Sequence, residues 1–447
     1  MKIKQFEDKP LAHYSYAIVS GDKIALVDPA RDPMPYYHFA ERNNARIVAV
    51  FETHPHADFI SSHLQIHKET GATIYTSSMV GAEYPHQAFD DGNSFTMGEV
   101  TFTALHTPGH SPDGITIHAT DGSDHALFTG DTLFIGDVGR PDLREKAGNM
   151  KAKREELAKM MYHTIQEKFR DFPDETTVYP AHGAGSLCGK NLSDAASSTL
   201  GNERQGNWAF REQTEEEFVY EILKDQPFIP SYFGYDVDIN KKGAPDYEKS
   251  LCGIPFRIGY APEHNGGLIV DTRKASDFKA GHLRGSFNIQ ADGIDDKVET
   301  WLGSIVRPEE KFILVIPAAD RRHEILARVA KIGYESLITA VITLNGKIDL
   351  EQSTPLQLET FREHPDNYTI VDVRNASEVA GNPIFENAVN IPLNELRDRV
   401  NEIPQEKPLV VHCAGGYRSA AGSSILNGLR SDTVYDLGEA VKEFKSK

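Results

Sequence analysis

Residues 47–58 read IVAVFETHPHAD, an apolar run that passes directly into two histidines and an aspartate. The β-branched and aliphatic residues of the run predict a buried strand, and the polar residues follow where that strand ends. Because successive side chains of an extended chain alternate faces, His54 and His56 point the same way. The stretch therefore predicts a metal-binding strand end.

Three more candidate metal ligands follow turns or apolar runs further along the chain. They are His110 in HTPGH, Asp131 in LFTGD and His182 in VYPAH. One such residue alone is weak support for a ligand, because short motif matches carry false positives. The dispersed matches together favour a metal site. Nearby histidines that match no ligand position are interpreted as ordinary residues: His63, His67, His86 and His106.

The motifs THxHxD, TPGHSxDG, TGDTLF and YPAHG, in this order and at this spacing, resemble those of the metallo-β-lactamase superfamily. The resemblance covers roughly the first half of the chain and implies an αββα sandwich with the metal at one edge. Fully ligated dinuclear members carry a further histidine directly after the aspartate, but here that residue is Phe59. The resemblance therefore implies one metal, because Phe59 weakens the second site.

The ligands that the resemblance leaves are His54, His110 and Asp131. Two imidazoles and one carboxylate form the ligand set of a mononuclear non-haem Fe(II) centre with open positions for substrate and O2. This set resembles the persulfide dioxygenase branch, and GDVGRPD at 136–142 supports it, because those enzymes carry a similar Gly-Arg-x-Asp segment. The implied cofactor is Fe(II), one per chain. The residues expected to orient these ligands or pass protons are His56, Asp58 and His182.

Two further residues are candidates for contact with the substrate. Cys188 lies shortly after His182 in GAGSLCGK, where neighbouring glycines and Lys190 favour a lowered thiol pKa. A free cysteine is also commonly a small buried hydrophobe. The resemblance to persulfide dioxygenases fused to rhodanese domains, which carry a similar Ser-x-Cys-Gly-Lys segment, favours the functional role. Arg140 is expected either to order the active-site loop or to meet an anionic substrate.

The length of the chain predicts several domains. A chain of 447 residues suggests two to four domains at ~100 to 200 residues each. Residues 235–249 are rich in Tyr, Asp, Asn, Lys, Gly and Pro, and this composition predicts an interdomain connection. We expect three domains, covering residues 1–240, 250–350 and 354–447.

Charge and composition exclude several classes of partner. The formal charge of −19 disfavours nucleic acid and anionic membranes, because a phosphate-rich surface would repel it. No apolar stretch approaches ~18 residues, and residues 1–7 lack the apolar region of a signal peptide. Three cysteines in a chain of this length do not form a disulfide framework. We expect a cytoplasmic homo-oligomer that acts on small molecules.

The second domain resembles a rhodanese domain without its nucleophile. GLIVDTR at 267–273 and GSFNI at 285–289 are similar to the opening of that family. The strand at 312–316 is expected to end in the catalytic cysteine, but PAADRR follows at 317–322. This domain is therefore predicted to be a degenerate rhodanese.

The third domain resembles an active rhodanese. VHCAGGYRS at 411–419 reads as a strand that runs into a short loop and opens a helix, with Cys413 at the start and Arg418 at the end. Backbone N–H groups at a helix N-terminus stabilise an anion, so a Cys413 thiolate or persulfide is held charged, with Arg418 adding a cation. Cysteine phosphatases use the same loop for phosphate, but the rhodanese-type opening favours sulfur. The predicted persulfide cradle comprises Ala414, Gly415, Gly416 and Tyr417.

These resemblances predict an α/β protein with an αββα sandwich followed by two rhodanese-like domains with parallel sheets. The implied function is oxidation of a low-molecular-weight thiol persulfide by O2 to sulfite. Rhodanese sulfur transfer that forms or consumes thiosulfate accompanies it, in sulfide detoxification. One alternative is a zinc thioester hydrolase of the glyoxalase II type with an attached sulfurtransferase. The other is a non-catalytic sulfur-carrier scaffold.

Overall fold

The computed structural model describes residues 1–145, 153–259, 267–345 and 349–445. The chain forms two compact units. The first comprises Met1–Lys249 with Ala330–Gly333, and the second comprises Ser250–Val329 and Tyr334–Lys447.

The first unit begins with a six-stranded sheet whose strands are arranged in chain order. The strands are β1 (Lys2–Asp8), β2 (His13–Ser20), β3 (Lys23–Val27), β4 (Arg46–Phe51), β5 (Thr73–Thr76) and β6 (Gln87–Ala88). Strands β3, β4 and β5 are parallel. Because parallel strands end at the same edge of a sheet, Asp28 after β3 and the polar segment after β4 meet there.

A second six-stranded sheet supplies the other candidate ligands. Its strands are β7 (Ser94–Met97), β8 (Val100–His106), β9 (Ile115–Thr120), β10 (His125–Gly130), β11 (Thr177–Pro180) and β12 (Ser198–Thr199). Strands β10 and β11 are parallel, whereas the other neighbours are antiparallel. Asp131 directly follows β10 and His182 is the second residue after β11, so both lie at one edge of this sheet.

Seven α-helices occur along the described part of the chain between residues 34 and 252. They are α1 (Met34–Arg42), α2 (His63–Thr70), α3 (Arg154–Glu167), α4 (Leu200–Gly206), α5 (Glu215–Leu223), α6 (Phe233–Lys242) and α7 (Tyr247–Cys252). Helices α1 and α2 pack on the first sheet, and α3 and α5 pack on the second. The sheets face each other through a core that includes Phe51, Phe102 and Phe128. This arrangement confirms the predicted αββα sandwich.

The predicted connection at residues 235–249 is largely helical. Its polar composition indicates a linker, but α6 buries Phe233 and Val237. The side-chain amide of Asn240 donates to the backbone oxygens of His56 and Phe59 at 2.8 and 2.7 Å. Tertiary burial outweighs local composition here, so this segment supports the loop after β4.

The second unit contains a five-stranded parallel sheet in the order β13-β17-β16-β14-β15. Its strands are β13 (Phe256–Ile258), β14 (Leu268–Asp271), β15 (Phe287–Asn288), β16 (Phe312–Val315) and β17 (Ile338–Thr343). The helices of this region are α8 (Ala275–Ala280), α9 (Val298–Ile305) and α10 (Arg322–Ala330). The predicted parallel sheet is confirmed.

A separate four-stranded parallel sheet follows in the order β19-β18-β20-β21. Its strands are β18 (Thr369–Asp372), β19 (Val389–Asn390), β20 (Leu409–His412) and β21 (Val434–Asp436). The helices are α11 (Leu358–Glu363), α12 (Ala376–Gly381), α13 (Leu396–Arg399) and α14 (Tyr417–Leu429). Across the described residues, no helix combines the length and apolar composition needed to cross a membrane.

Candidate metal centre and thiol site

His54, His110 and Asp131 come together beyond the ends of β4 and β10. The Nε2 atom of His54 is 3.8 Å from Oδ2 of Asp131, and Nε2 of His110 is 3.5 Å from the same oxygen. All three side chains are buried, and that oxygen has no hydrogen-bond donor among the described residues. A buried carboxylate oxygen without a partner is costly. Two imidazoles and this carboxylate therefore fit a divalent metal ion.

Hydrogen bonds to the other ring nitrogens orient the two imidazoles. His110 Nδ1 donates to the backbone oxygen of Arg140 at 2.9 Å, and His54 Nδ1 lies 3.0 Å from Oγ1 of Thr53. These partners leave each Nε2 with a free lone pair. Burial lowers the pKa of His54 well below its usual range and also lowers the pKa of His110. Both rings are therefore neutral, the form that binds metal.

His182 holds the second oxygen of Asp131. Its Nδ1 donates to Oδ1 of Asp131 at 2.8 Å, and its Nε2 lies 2.9 Å from Oδ2 of Asp58. Burial opposes a charge on this ring, but the two carboxylates raise the pKa of His182 well above its usual range. Burial likewise opposes ionisation of Asp131, yet His182, through its charge and its hydrogen bond, holds the pKa of that carboxyl well below its usual range. This geometry suits the orienting role predicted for His182 and Asp58.

Cys188 lies beside this pair. One ligand atom each from Asp58, His182 and Cys188 fall within 4.8 Å of one another, so they form a second cluster able to hold a metal ion. The cysteine is 1% exposed. The predicted proximity of Cys188 to the metal centre is thus present, although the thiol is enclosed rather than at an open rim.

The lowered thiol pKa predicted for Cys188 is wrong. Burial, followed by the nearby carboxylate of Asp131, raises the pKa of this thiol well above its usual value. Lys190, expected to supply a cation, instead donates to the backbone oxygens of Glu221 and Lys224 at 2.6 and 3.0 Å. Adjacency in sequence did not predict the direction of this long side chain.

His56 faces two carboxylates that the sequence analysis missed. Its Nε2 atom is 3.1 Å from Oδ1 of Asp28 and 3.7 Å from Oε2 of Glu52. Burial opposes protonation, but Asp28 and then Glu52 raise the pKa of His56. These residues form a third buried cluster of possible ligand atoms. Their positions directly after β3 and β4 were the available signal, because neighbouring parallel strands end at one edge.

Phe59 directly follows Asp58, where the family resemblance implies a histidine for a dinuclear site. Its ring is buried, with its centre 3.8 Å from that of His13 and 4.3 Å from that of His56. His13 lies on β2, is buried, and was also missed, because nothing in its local sequence separates it from a core residue. An aromatic stack therefore replaces a possible ligand here.

Arg140 is committed to its own loop. Its Nε and Nη2 donate to the carboxylate of Asp142 at 2.7 and 2.8 Å, and its Nη1 donates to the backbone oxygen of Leu187 at 3.2 Å. The side chain is 1% exposed, so the predicted substrate-binding role is not supported, and loop ordering remains. The loop passes very close to the ligand, because a Cβ at Gly139 would lie 1.8 Å from the backbone oxygen of Asp131.

Arg140→Lys should loosen metal binding. Lysine does not reproduce the two parallel bonds to Asp142, so the backbone oxygen that holds His110 shifts. Partners of this kind typically change metal affinity by about 10–100-fold. Metal retained after dialysis against a chelator measures the effect, with Arg46→Lys at an exposed position as control. A raised KM for persulfide with unchanged retention would instead support direct substrate contact.

Cys413 lies in the second unit, in the short loop between β20 and the N-terminus of α14. Strand β20 ends at His412, and the backbone N–H of Gly416 donates to Sγ of Cys413 at 3.1 Å. Gly416 has a φ of 111°, a conformation that favours glycine, and α14 begins at the next residue. The predicted curled loop from Cys413 to the helix is therefore present.

Arg418, the cation predicted beside Cys413, is paired with a carboxylate. Its Nη1 and Nη2 donate to the two carboxylate oxygens of Glu378 at 2.6 and 2.8 Å. Its guanidinium carbon also lies 6.0 Å from the ring centre of Trp301. Glu378 is distant in sequence, and no local pattern pointed to this pair.

The segment that follows β15 contacts the Cys413 loop. The phenol of Tyr417 donates to the backbone oxygen of Gln290 at 2.9 Å. In the cysteine-free segment after β16, the guanidinium of Arg321 donates to the carboxylates of Glu324 and Asp292 at 2.7 and 3.2 Å. The region after β16 therefore holds an ion-paired arginine and no cysteine, and the contact with the Cys413 loop comes from the segment after β15.

Comparison with protein-family models gives three matches along the chain. The model described as "Metallo-beta-lactamase superfamily" matches residues 8–182. The model described as "Rhodanese-like domain" matches residues 260–347 and again residues 356–447. The candidate metal ligands fall within the first match, and Cys413 falls within the last.

Individual relatives point in two directions. Hydroxyacylglutathione hydrolase cytoplasmic from Arabidopsis thaliana is 29% identical over 55% of this chain and 90% of its own length. Persulfide dioxygenase ETHE1, mitochondrial, from Homo sapiens is 30% identical over 38% of this chain and 63% of its own. The crystal structure of a metallo-beta-lactamase from Staphylococcus aureus subsp. aureus COL is 32% identical, with a TM-score of 0.68, covering 76% of this chain and 99% of that one.

Proposed function

We propose, because this chain belongs to the metallo-β-lactamase superfamily and carries two rhodanese-like domains, that it oxidises a low-molecular-weight thiol persulfide to sulfite. Its last domain transfers a sulfane sulfur between a thiol persulfide and sulfite. Sulfite that accepts this sulfur becomes thiosulfate, and thiosulfate that donates it becomes sulfite. The relative named persulfide dioxygenase supports this assignment. We further propose a cytoplasmic protein.

The observation that carries the proposal is the convergence of His54 and His110 on the unpartnered oxygen of Asp131. These three residues would hold one Fe(II) per chain, with positions left open. Bound iron supplies redox chemistry with O2. In the overall reaction, O2 takes four electrons from the outer sulfur of the persulfide, two oxygen atoms from O2 and one from water complete sulfite, and the thiol and two protons are released. His182 keeps Asp131 ionised and fixes its orientation.

Sulfur transfer is assigned to Cys413. Its thiolate attacks the sulfane sulfur of a donor, a new S–S bond forms, and the donor's thiolate or sulfite leaves with the electron pair. The backbone N–H of Gly416 supports the negative charge on Sγ. An acceptor then attacks the outer sulfur and regenerates the thiolate, so no oxidant is consumed.

The zinc thioester hydrolase stays as the second candidate because of two observations. Hydroxyacylglutathione hydrolases are about as similar to this chain as the persulfide dioxygenase is. The cluster of Asp58, His182 and Cys188 also offers ligands for a second ion. Two tightly bound zinc ions and hydrolysis of a glutathione thioester would favour this function.

An oxygen-electrode assay tests the proposal directly. Fe(II)-loaded protein with glutathione persulfide should consume O2 and release sulfite, whereas zinc-loaded protein should not. Elemental analysis should find about one catalytic iron per chain, as a mononuclear site requires. Absence of O2 uptake in the iron-loaded protein, with thioester hydrolysis present, would overturn the proposal.

Cys188→Ser tests whether this thiol takes part in handling sulfur. If Cys188 relays sulfur from the metal centre, the variant should release severalfold more free sulfite and less thiosulfate. If it only fills space, serine places a more polar hydroxyl in this buried site and destabilises the fold by about 1–3 kcal/mol. The melting temperature then falls while the product ratio is unchanged, and that outcome would exclude the relay. Cys252→Ser, at an exposed cysteine, is the control.

A further inference from the structure

The charges around the Cys413 loop are paired. Arg418 forms two hydrogen bonds to Glu378, and their side chains are 15% and 37% exposed. Arg374, beside the neighbouring strand end, is bonded to both oxygens of Asp372 at 2.6 to 3.0 Å. Each of these two guanidinium groups is therefore matched by a carboxylate.

Glu378 is held in place from its own side. It lies in the first turn of α12, and its Oε2 accepts the backbone N–H of Asn375 at 3.0 Å in a capping box. The hydrogen bonds from Arg418 lower the pKa of Glu378, so it is ionised at neutral pH. Releasing Arg418 would leave a partly buried carboxylate without its cation, which disfavours opening of the pair.

With Arg418 paired to Glu378, the backbone N–H groups supply the part of the stabilisation of an anion at Cys413 that no carboxylate shares. The N–H of Gly416 points at Sγ, and the first turn of α14 carries the equivalent of roughly half a positive charge. This field suits one negative charge. Binding an anion with two negative charges would require a cation that is not already paired with a carboxylate.

We propose that Glu378 is a specificity-determining residue of the Cys413 site. By neutralising Arg418 it disfavours doubly charged oxyanions such as thiosulfate, sulfate and phosphate, and favours neutral or singly charged organic persulfides. The proposal rests on sulfur transfer at Cys413.

The two donors differ in the charge that the leaving group carries. With a persulfide, the Cys413 thiolate bonds to the sulfane sulfur, the RS–S bond breaks, and RS⁻ leaves with the electron pair. With thiosulfate, the same bond changes release sulfite carrying two negative charges. The thiosulfate reaction therefore gains more from an unpaired Arg418 than the persulfide reaction does.

Glu378→Gln tests the proposal, because it removes the charge and nearly keeps the shape. The KM for thiosulfate should fall by about tenfold, as expected for freeing one partly exposed charge, while kcat changes less. Sulfate should become a stronger inhibitor by a similar factor. Mass spectrometry should show unchanged loading of one sulfur atom on Cys413 from glutathione persulfide. Glu402→Gln, which removes an exposed carboxylate bonded to Arg399, is the control.

A folded Glu378→Gln protein whose thiosulfate KM is unchanged or raised would overturn the proposal. A second measurement needs only the unaltered protein. Raising the ionic strength from about 0.02 to 0.2 M should change its thiosulfate KM less than twofold, because a neutralised pair attracts anions weakly. A rise of fivefold or more would show an unpaired cation. If no donor loads sulfur onto Cys413 in the unaltered protein, the proposed sulfur transfer itself fails.

Discussion

Cys413→Ser abolishes sulfur transfer from thiosulfate, by roughly 10³-fold or more, as expected on removal of a nucleophile. O2 uptake with an externally supplied persulfide continues, because the ligands of the proposed metal centre belong to the other unit. Serine cannot form a persulfide, and its hydroxyl is not ionised in this loop at neutral pH. Sulfite release from thiosulfate and O2 consumption are measured on the same preparation.

Cys252→Ser separates the loss of this one thiol from a general effect of removing cysteine. Cys252 is exposed at the end of α7, and no residue is proposed to act as an acid or base on its thiol. Both activities should remain. If sulfur transfer survives in Cys413→Ser, another residue carries sulfur, and the interpretation of residues 317–322 as a site without a nucleophile is wrong.

His110→Ala removes both bound iron and O2 uptake, while sulfur transfer at Cys413 persists. The variant deletes one of three ligands and frees the oxygen of Arg140 that oriented it. Iron should fall from about one per chain to below a tenth after dialysis, since three protein ligands define such a site. Iron content and O2 uptake together measure the effect.

His86→Ala is the matched control, because His86 is exposed and lies outside the metal cluster. It should keep its iron and its O2 uptake. If His110→Ala consumes O2 at the original rate, or if activity in the unaltered protein survives removal of iron and follows zinc, the thioester hydrolase becomes the better assignment.

Strand ends and turns in the sequence marked five candidate ligands, and the family resemblance carried by their motifs reduced these to His54, His110 and Asp131. The structure places their atoms within metal-binding distance of one another. The αββα sandwich followed from the same motifs, and the family comparisons agree with it. Motifs at strand ends were therefore adequate for the fold and the ligand set, because they carry a resemblance to a family whose sites lie at such ends.

The sequence did not predict contacts between side chains that lie far apart along the chain. The pairing of Arg418 with Glu378 depends on where α12 lies beside the Cys413 loop. The direction of Lys190 depends on two backbone oxygens from a later helix and its end. Strand β1 was also missed, since its Lys, Gln and Glu residues obscured an edge strand whose burial alternates only weakly. In each case tertiary packing decides what composition leaves open.

Gly139 has a consequence for how such a protein can change over evolutionary time. A single added methyl group there would collide with the main chain of Asp131, rather than with a side chain that could rotate away. A second substitution changes only a side chain and does not move the main chain of Asp131 out of the way. Compensation would therefore require a different backbone path for the whole loop. A residue without any functional group is thereby as constrained as a ligand, and new activities in this scaffold would have to arise through its other loops.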